Sequence, residues 1–191
     1  MKQFEFGETS IPGLVKIQPF SADDVRGRFI KDWSHKAFEE AGIDYHLEET
    51  FYTVSRPGVI RAIHFQREHQ QPKLMRCISG RVVDCVVDLR PGSPAFKRYE
   101  LFEMSGDNLV EILVPGGCGH GYLVIEESVM SYKCSENFYG EYDDGIMWND
   151  PDLGIAWPLE RIGGAGRVIL ADKDKNLQSF ADFMSTYGGL S

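Results

Sequence analysis

The sequence lacks any long apolar run. Its hydrophobic stretches are short and broken by charge, as at residues 82–89, where Asp84 and Asp88 intervene. None approaches the roughly 20 residues that a helix needs to cross a bilayer. The first ten residues, MKQFEFGETS, carry acids where an export signal has its apolar stretch. The expectation is a cytoplasmic protein with no membrane partner. Cysteine is scarce too: Cys77, Cys85, Cys118 and Cys134 contain no CxxC pair. That spacing argues against a disulfide framework and against a zinc site. Cys85, inside VVDCVVDL, reads as a buried free thiol. Positive charge is in deficit, with 20 Lys and Arg against 29 Asp and Glu, a net −9. Such a field repels nucleic acid, although a local cluster drawn from Arg26, Arg28, Arg61, Arg67 and Lys73 still suits an anionic ligand.

The chain has 191 residues, 42% of them hydrophobic and 12% aromatic, enough for one domain with a core. A helix is expected near 34–41, with Ser34 as its cap and Gly42 as its terminator. Strands are expected at 51–55, 58–66, 74–79, 81–89, 99–104, 110–114, 121–125 and 129–135. Gly80 reads as the turn of a hairpin, and Pro91-Gly92-Ser93-Pro94 as a loop. Strands this close, without room for helical crossovers, favour a sandwich or barrel. From about 136 to 191 the chain reads as an irregular wrap, with a polar helix near 174–184. No repeat or linker divides it.

Three features carry chemistry. In VIRAIHFQ, strand alternation places Ile60, Ala62 and His64 on one face and Arg61, Ile63 and Phe65 on the other. His64 is then either a hydrogen-bonded core histidine or an imidazole facing a cavity. In PGGCGHGY, glycines around His120 allow the backbone to approach a ligand, or simply turn a hairpin. Tyr132 shares a face with Met130 and Cys134, where a phenol packs in the core or moves a proton. The Pro-x-Gly-x-x-His spacing ending at His120 is also part of the second cupin signature, whose His often binds metal. The first signature supplies two His one residue apart and then a Glu. Here Gln66 stands two places after His64 and no acid follows suitably, so the expectation is no metal and no other cofactor.

In combination these segments resemble the dTDP-4-dehydrorhamnose 3,5-epimerase family. The resemblance runs from about Ile11 to about Asn176. It rests on IPG at 11–13, the pattern Asp24-x-Arg26-Gly27-x-Phe29, GVIRAIHFQ at 58–66 and PKL at 72–74. It continues through SGRVVDCVVDLRPGSPAF at 79–96, VPGGCGHGYLV at 114–124, YKC at 132–134, WNDPDLGIAWP at 148–158 and ADKD at 171–174. The resemblance implies a mainly β, cupin-type jelly-roll barrel with a few short helices. It implies an isomerase that inverts C3 and C5 of a nucleotide-linked 4-keto-6-deoxyhexose through an enolate. By the same resemblance His64 is the base, Asp174 its carboxylate partner, Tyr132 the acid and Lys73 the cation at the ketone. Arg61 holds phosphate, and His120 lines the pocket. Glu49, Phe51, Gln66 and Tyr139 stand at further substrate-binding positions. Arg26 and Phe29 reach from residues 1–50 into a second subunit's site, making a homodimer.

The departures fall in the binding set. The family usually has Q-D-N-x-S-x-S before GVIRAIH, where this chain has Glu49 to Ser55, so Phe51 replaces an amide. Ala62 replaces a glycine, Pro72 replaces the glycine before Lys73, and Phe138 competes with Tyr139 for one aromatic position. An epimerase of one carbon only, or one using another nucleotide, is therefore an alternative. A sugar-binding cupin, with or without a metal, is a second. Exhaustive chelation of the purified protein is expected to leave turnover unchanged; lost turnover, restored by added metal, would favour the metal-dependent cupin.

Overall fold

Two long strands organise the chain. The computed structural model describes residues 1–191. Its strands are β1 (Glu5–Glu8), β2 (Val15–Gln18), β3 (Phe20–Asp24), β4 (Gly27–Lys31), β5 (Glu49–Ser55) and β6 (Ile60–Gln66). The long pair, β7 (Lys73–Asp88) and β10 (Cys118–Cys134), bracket β8 (Tyr99–Ser105) and β9 (Glu111–Val114), and β11 (Asp143–Gly145) follows. Three short helices complete the chain, α1 (His35–Glu40), α2 (Asp172–Lys175) and α3 (Phe180–Tyr187).

β7 and β10 pair antiparallel from Lys73 opposite Cys134 to Asp88 opposite Cys118. Each end of this ladder recruits different neighbours. At one end Lys73–Arg76 pair with β9, and residues 128–134 pair with β5. At the other, residues 81–87 pair with β8, and His120–Leu123 pair with β6. The main sheet runs β1-β2-β9-β7-β10-β6-β11, with β5 and β8 alongside, and its two halves enclose one core. Met75, Cys77, Val82, Val86, Tyr122, Val124, Met130 and Tyr132 all belong to that core. This is the cupin-type jelly roll. Alternation explains it: the even-numbered residues of β10 on both sides of its bend face inward.

The outer faces are also covered. Phe38 of α1, Tyr45, Ile17 and Leu113 cover the half that carries β9. Phe180 and Phe183 of α3 pack with Trp157, Ile63 and Phe65 on the half that carries β6. The C-terminal helical region therefore differs from the single polar helix expected near 174–184. It breaks into α2 and α3, and α3 is anchored by two buried phenylalanines with Ser179 capping its first turn through Asp182 N at 3.0 Å. The four cysteines are buried free thiols.

The hairpin expected at Gly80 does not form. β7 passes straight through, and the pairing with β10 instead slips between Val124 and Met130. Gly80 has φ +77°, and a Cβ there would meet the backbone carbonyl of Glu127. The glycine thus permits a bend within a continuous strand. Turn propensity and bend propensity share one sequence signal, so alternation alone could not separate them. Gly80→Ala is expected to destabilise the fold by about 1–3 kcal/mol. The melting temperature should fall by several degrees while the cavity chemistry, remote from residue 80, survives at low temperature; an unshifted melt would show that the bend tolerates a side chain.

Candidate active site

A cavity of about 340 Å³ opens between the sheet halves, lined by Phe51, Thr53, Arg61, His64, Lys73, His120, Tyr122, Tyr132, Phe138, Ala171, Lys173 and Asp174. A larger hollow of about 670 Å³ lies on the surface near Arg161, Arg167 and the Gly163–Gly166 turn. It holds no acid–base pair, so the smaller cavity is the site.

β6 brings in the first pair. His64 Nε2 lies 3.0 Å from Asp174 Oδ1, the carboxylate being almost fully buried in α2. The other ring nitrogen, Nδ1, is buried and has no hydrogen-bond partner. A carboxylate on one nitrogen fixes the tautomer and leaves the other nitrogen as a lone-pair acceptor. Arg61 lines the same cavity, which strict alternation had assigned to the opposite face. The register explains the difference: His120 pairs with His64 but Tyr122 pairs with Arg61, so two residues of β10 face three steps of β6. A bulge at Ala62-Ile63 sends both side chains into the outer core and returns Arg61 and His64 to one side. Ala62 therefore does not face the cavity beside His64. It packs against Gly121, where an added Cβ would sit 2.5 Å from its own. Arg61 donates from Nε to Ser55 Oγ at 3.2 Å and forms no ion pair, so its guanidinium keeps donors for an anion.

β7 and β10 supply the rest. Lys73 donates to Gln71 O at 3.1 Å, and burial pushes its ammonium below the ordinary lysine value. Tyr132 is buried, and burial pushes its phenol well above the ordinary value, with the neighbouring Tyr122 adding to the rise. Phe51 stacks on the Tyr132 ring, centroids 4.6 Å apart and planes within 13°. His120 Nε2 lies 2.8 Å from Asp84 Oδ2, and Asp84 is wholly enclosed. Burial pushes the Asp84 carboxyl up, and His120 pulls it part of the way back.

Of the twelve residues expected from the sequence, His64, Lys73, Tyr132, Asp174, Phe51, Arg61 and His120 meet in this cavity. Gln66 does not. Its amide donates to the carbonyls of His69 and Asn137 and accepts from Tyr139 N, so it staples the following loop. Glu49 accepts from Gln71 Nε2 at 2.9 Å, outside the lining. Phe138, rather than Tyr139, takes the aromatic position; Tyr139 packs against His69. Arg26 and Phe29 lie on the β3–β4 hairpin, beside a separate hollow. Tyr122, Thr53, Asp84 and Lys173 were missed. Alternation carried the signal for the first two, since each shares a face with a chosen residue: Tyr122 with His120 and Thr53 with Phe51; Asp84 shares its face only with core residues such as Val86.

A model of the dTDP-4-dehydrorhamnose 3,5-epimerase family matches residues 8–182. The chain belongs to that family. The dTDP-4-dehydrorhamnose 3,5-epimerase of Methanothermobacter thermautotrophicus is 38% identical over 177 residues, covering 92% of this chain and 94% of that protein. The Legionella pneumophila epimerase, solved with dTDP-4-keto-L-rhamnose, is 31% identical with a TM-score of 0.86 and covers 93% of each chain. A 3'-monoepimerase from Streptomyces bikiniensis, solved with dTDP-quinovose, is 30% identical with a TM-score of 0.85, covering 93% of this chain and 89% of that one. The chain is thus a family epimerase, an isomerase by class, whose structural relatives include an enzyme of one inversion as well as those of two.

In this epimerase the Asp84–His120 pair is as much structural as chemical. His120→Leu is expected to cost about 3 kcal/mol in urea unfolding, because it strands a buried carboxyl. Replacing both residues with apolar ones should recover much of that loss. A double variant that loses the sum of what His120→Leu and Asp84→Leu lose separately would mean the two side chains are energetically independent.

Proposed function

We propose that this chain inverts C3 and C5 of a nucleoside-diphosphate 4-keto-6-deoxyhexose, converting dTDP-4-dehydro-6-deoxyglucose to dTDP-4-dehydrorhamnose. The observation that carries the reading is one cavity holding a carboxylate-held imidazole, a buried phenol and a buried ammonium. The 4-keto group acidifies the hydrogens on C3 and C5. His64, oriented by Asp174, takes one of them, and the electrons move into the carbonyl to give an enolate. Lys73 stabilises the oxygen as charge develops. Tyr132 returns a proton to the other face of the carbon, which inverts it, and the sequence repeats at the second carbon. The ketone is the electron sink, so the reaction balances with no redox cofactor. His64 and His120 each face a carboxylate, and no three His, Cys, Asp or Glu side chains converge, a donor arrangement suited to proton transfer rather than to a resident metal.

Arg61 and Lys173, at the cavity, suit the diphosphate. The β3–β4 hairpin stands outside the main sheet with Phe29 58% exposed and Arg26 paired only with the exposed Asp24. Those exposures support a homodimer in which the hairpin contributes Arg26 and Phe29 to a second copy's nucleotide site. The whole chain acts as one domain, and its buried free thiols suit the reducing cytoplasm. No helix is long and apolar enough to cross a membrane. Phe51 stacked on Tyr132 favours a second reading, inversion at one carbon only, because it restricts where the acid can reach.

Incubation with dTDP-4-keto-6-deoxyglucose in D₂O, with NMR at C3 and C5, decides between these. The expected result is deuterium at both carbons with inverted configuration; label at one carbon would make this a mono-epimerase, and no label would point to another sugar or nucleotide. His64→Ala and Asp174→Asn should each lower exchange by at least about a hundredfold while nucleotide affinity stays nearly intact. Full turnover in His64→Ala would remove the imidazole from the base role.

A further inference from the structure

Two inversions in one binding event pose a problem for Tyr132. Having protonated one carbon, it is a buried phenolate, and it needs a new proton before it can serve the second. The residue is 6% exposed, with Phe51 stacked across its ring, so water has little direct access. Its neighbours are hydroxyls. Tyr122 OH lies 2.8 Å from Thr53 Oγ1, in a contact where either oxygen can donate. Both hydroxyls adjoin the Tyr132 phenol, and all three residues line the cavity.

The placement of the two hydroxyls is specific. Tyr122 is 1% exposed, and the hydrogen bond to Thr53 is what satisfies its oxygen. Shape alone would be met there by phenylalanine, and burying a hydroxyl costs free energy unless it is partnered. Thr53 is half-buried on β5, a strand that pairs with β10 and has no strand on its other side. The oxygens of Tyr122 and Thr53 therefore join a fully buried hydroxyl to a half-buried one, both lining the cavity that holds the phenol.

We propose that Tyr122 and Thr53 form a hydroxyl relay that reprotonates Tyr132 between the two inversions. The inference rests on the epimerase reading above. Tyr122 O–H gives its proton to the Tyr132 phenolate, Thr53 O–H gives its proton to Tyr122, and Thr53, the least buried of the three, takes one from water in the cavity. The proton that His64 removed from carbon leaves to solvent, so protons balance over each inversion and no oxidant or reductant is involved. Tyr122 and Thr53 act through Tyr132, as positioning residues.

The test compares wild type with Tyr122→Phe, Thr53→Val and Thr53→Ser on dTDP-4-keto-6-deoxyglucose in D₂O, following label at C3 and C5 with time. Tyr122→Phe and Thr53→Val should keep KM within about twofold while kcat for the doubly inverted product falls more than about tenfold. Singly inverted, singly labelled sugar should accumulate, since the resident proton still serves one inversion. Thr53→Ser, which keeps the hydroxyl, should restore the wild-type product ratio. Thr53→Val lies at a strand edge and provides the readout should Tyr122→Phe fail to fold. Doubly inverted product at the wild-type rate and ratio in the valine variant, or a serine variant as slow as the valine one, would overturn the relay. Wild type that labels neither carbon would overturn the epimerase reading itself, and wild type that labels one would remove the need for reloading.

Discussion

The ladder between β7 and β10 is the constraint on which the rest depends. It is the one pairing that belongs to both halves of the sheet, and it carries most of the cavity's chemistry. Lys73 and Asp84 come from β7, and His120, Tyr122 and Tyr132 from β10. Because side chains alternate along a strand, a slip of one residue would turn every one of these groups to the outer face. The ladder resists that slip through its apolar residues, since the same shift would expose Val82, Val86, Val124 and Met130. The core and the site therefore fix the register together. Catalytic geometry here is a consequence of burying the right aliphatic side chains.

Burial also sets the electrostatics. A cavity removed from water disfavours isolated charge, and the shifts all run in that direction: the lysine is pushed down, the tyrosine and Asp84 are pushed up. Such an environment suits a reaction in which charge is created on the substrate and discharged again. In the proposed reaction, an enolate formed beside Lys73 takes the place of the water that an ammonium otherwise needs. At the rim the logic is different. Arg61 has no carboxylate partner and keeps its donors, which lets a chain of net −9 present locally positive charge to a diphosphate. The global charge governs approach, while the local geometry governs binding.

The class of fold and most of the site could be read from the sequence because both rest on period-two alternation and on short motifs. His64, Tyr132 and Asp174 sit in segments whose pattern is unbroken or whose spacing is distinctive. Legibility failed where the backbone departs from a regular strand. Gly80 carries a turn signal yet bends a continuous strand, because the carbonyl of Glu127 occupies the space a side chain would need. The bulge at Ala62-Ile63 placed Arg61 in the cavity against strict alternation, and only the register with β10 reveals it. Gln66 carried the chemistry of a ligand contact, but the loop that folds back over it consumes its amide. These outcomes depend on contacts distant in sequence, to which local patterns are blind.

The outer face of the same ladder links the strand of Tyr132 to the N-terminal hairpin. Lys133 follows Tyr132, so it points the opposite way, and its Nζ lies 2.9 Å from Asp32 Oδ2. Arg76, almost fully buried, approaches the same carboxylate at 3.4 Å. Burial pushes Asp32 up, but Lys133 and Arg76 outweigh it and hold the carboxyl below its ordinary value. Asp32 is the residue directly after β4. The root of the hairpin is therefore clamped to both long strands, by Arg76 of β7 and by Lys133 of β10, the strand that holds Tyr132 on its other side. A hairpin rooted this way has a defined direction of departure from the barrel, which matters more for the proposed contact with a second subunit than the exposed ion pairs at its tip. Those tip pairs are solvated and worth little. The clamp at its base, where water is scarce and two cations share one carboxylate, is what gives an otherwise unsupported two-stranded arm a fixed relation to the site.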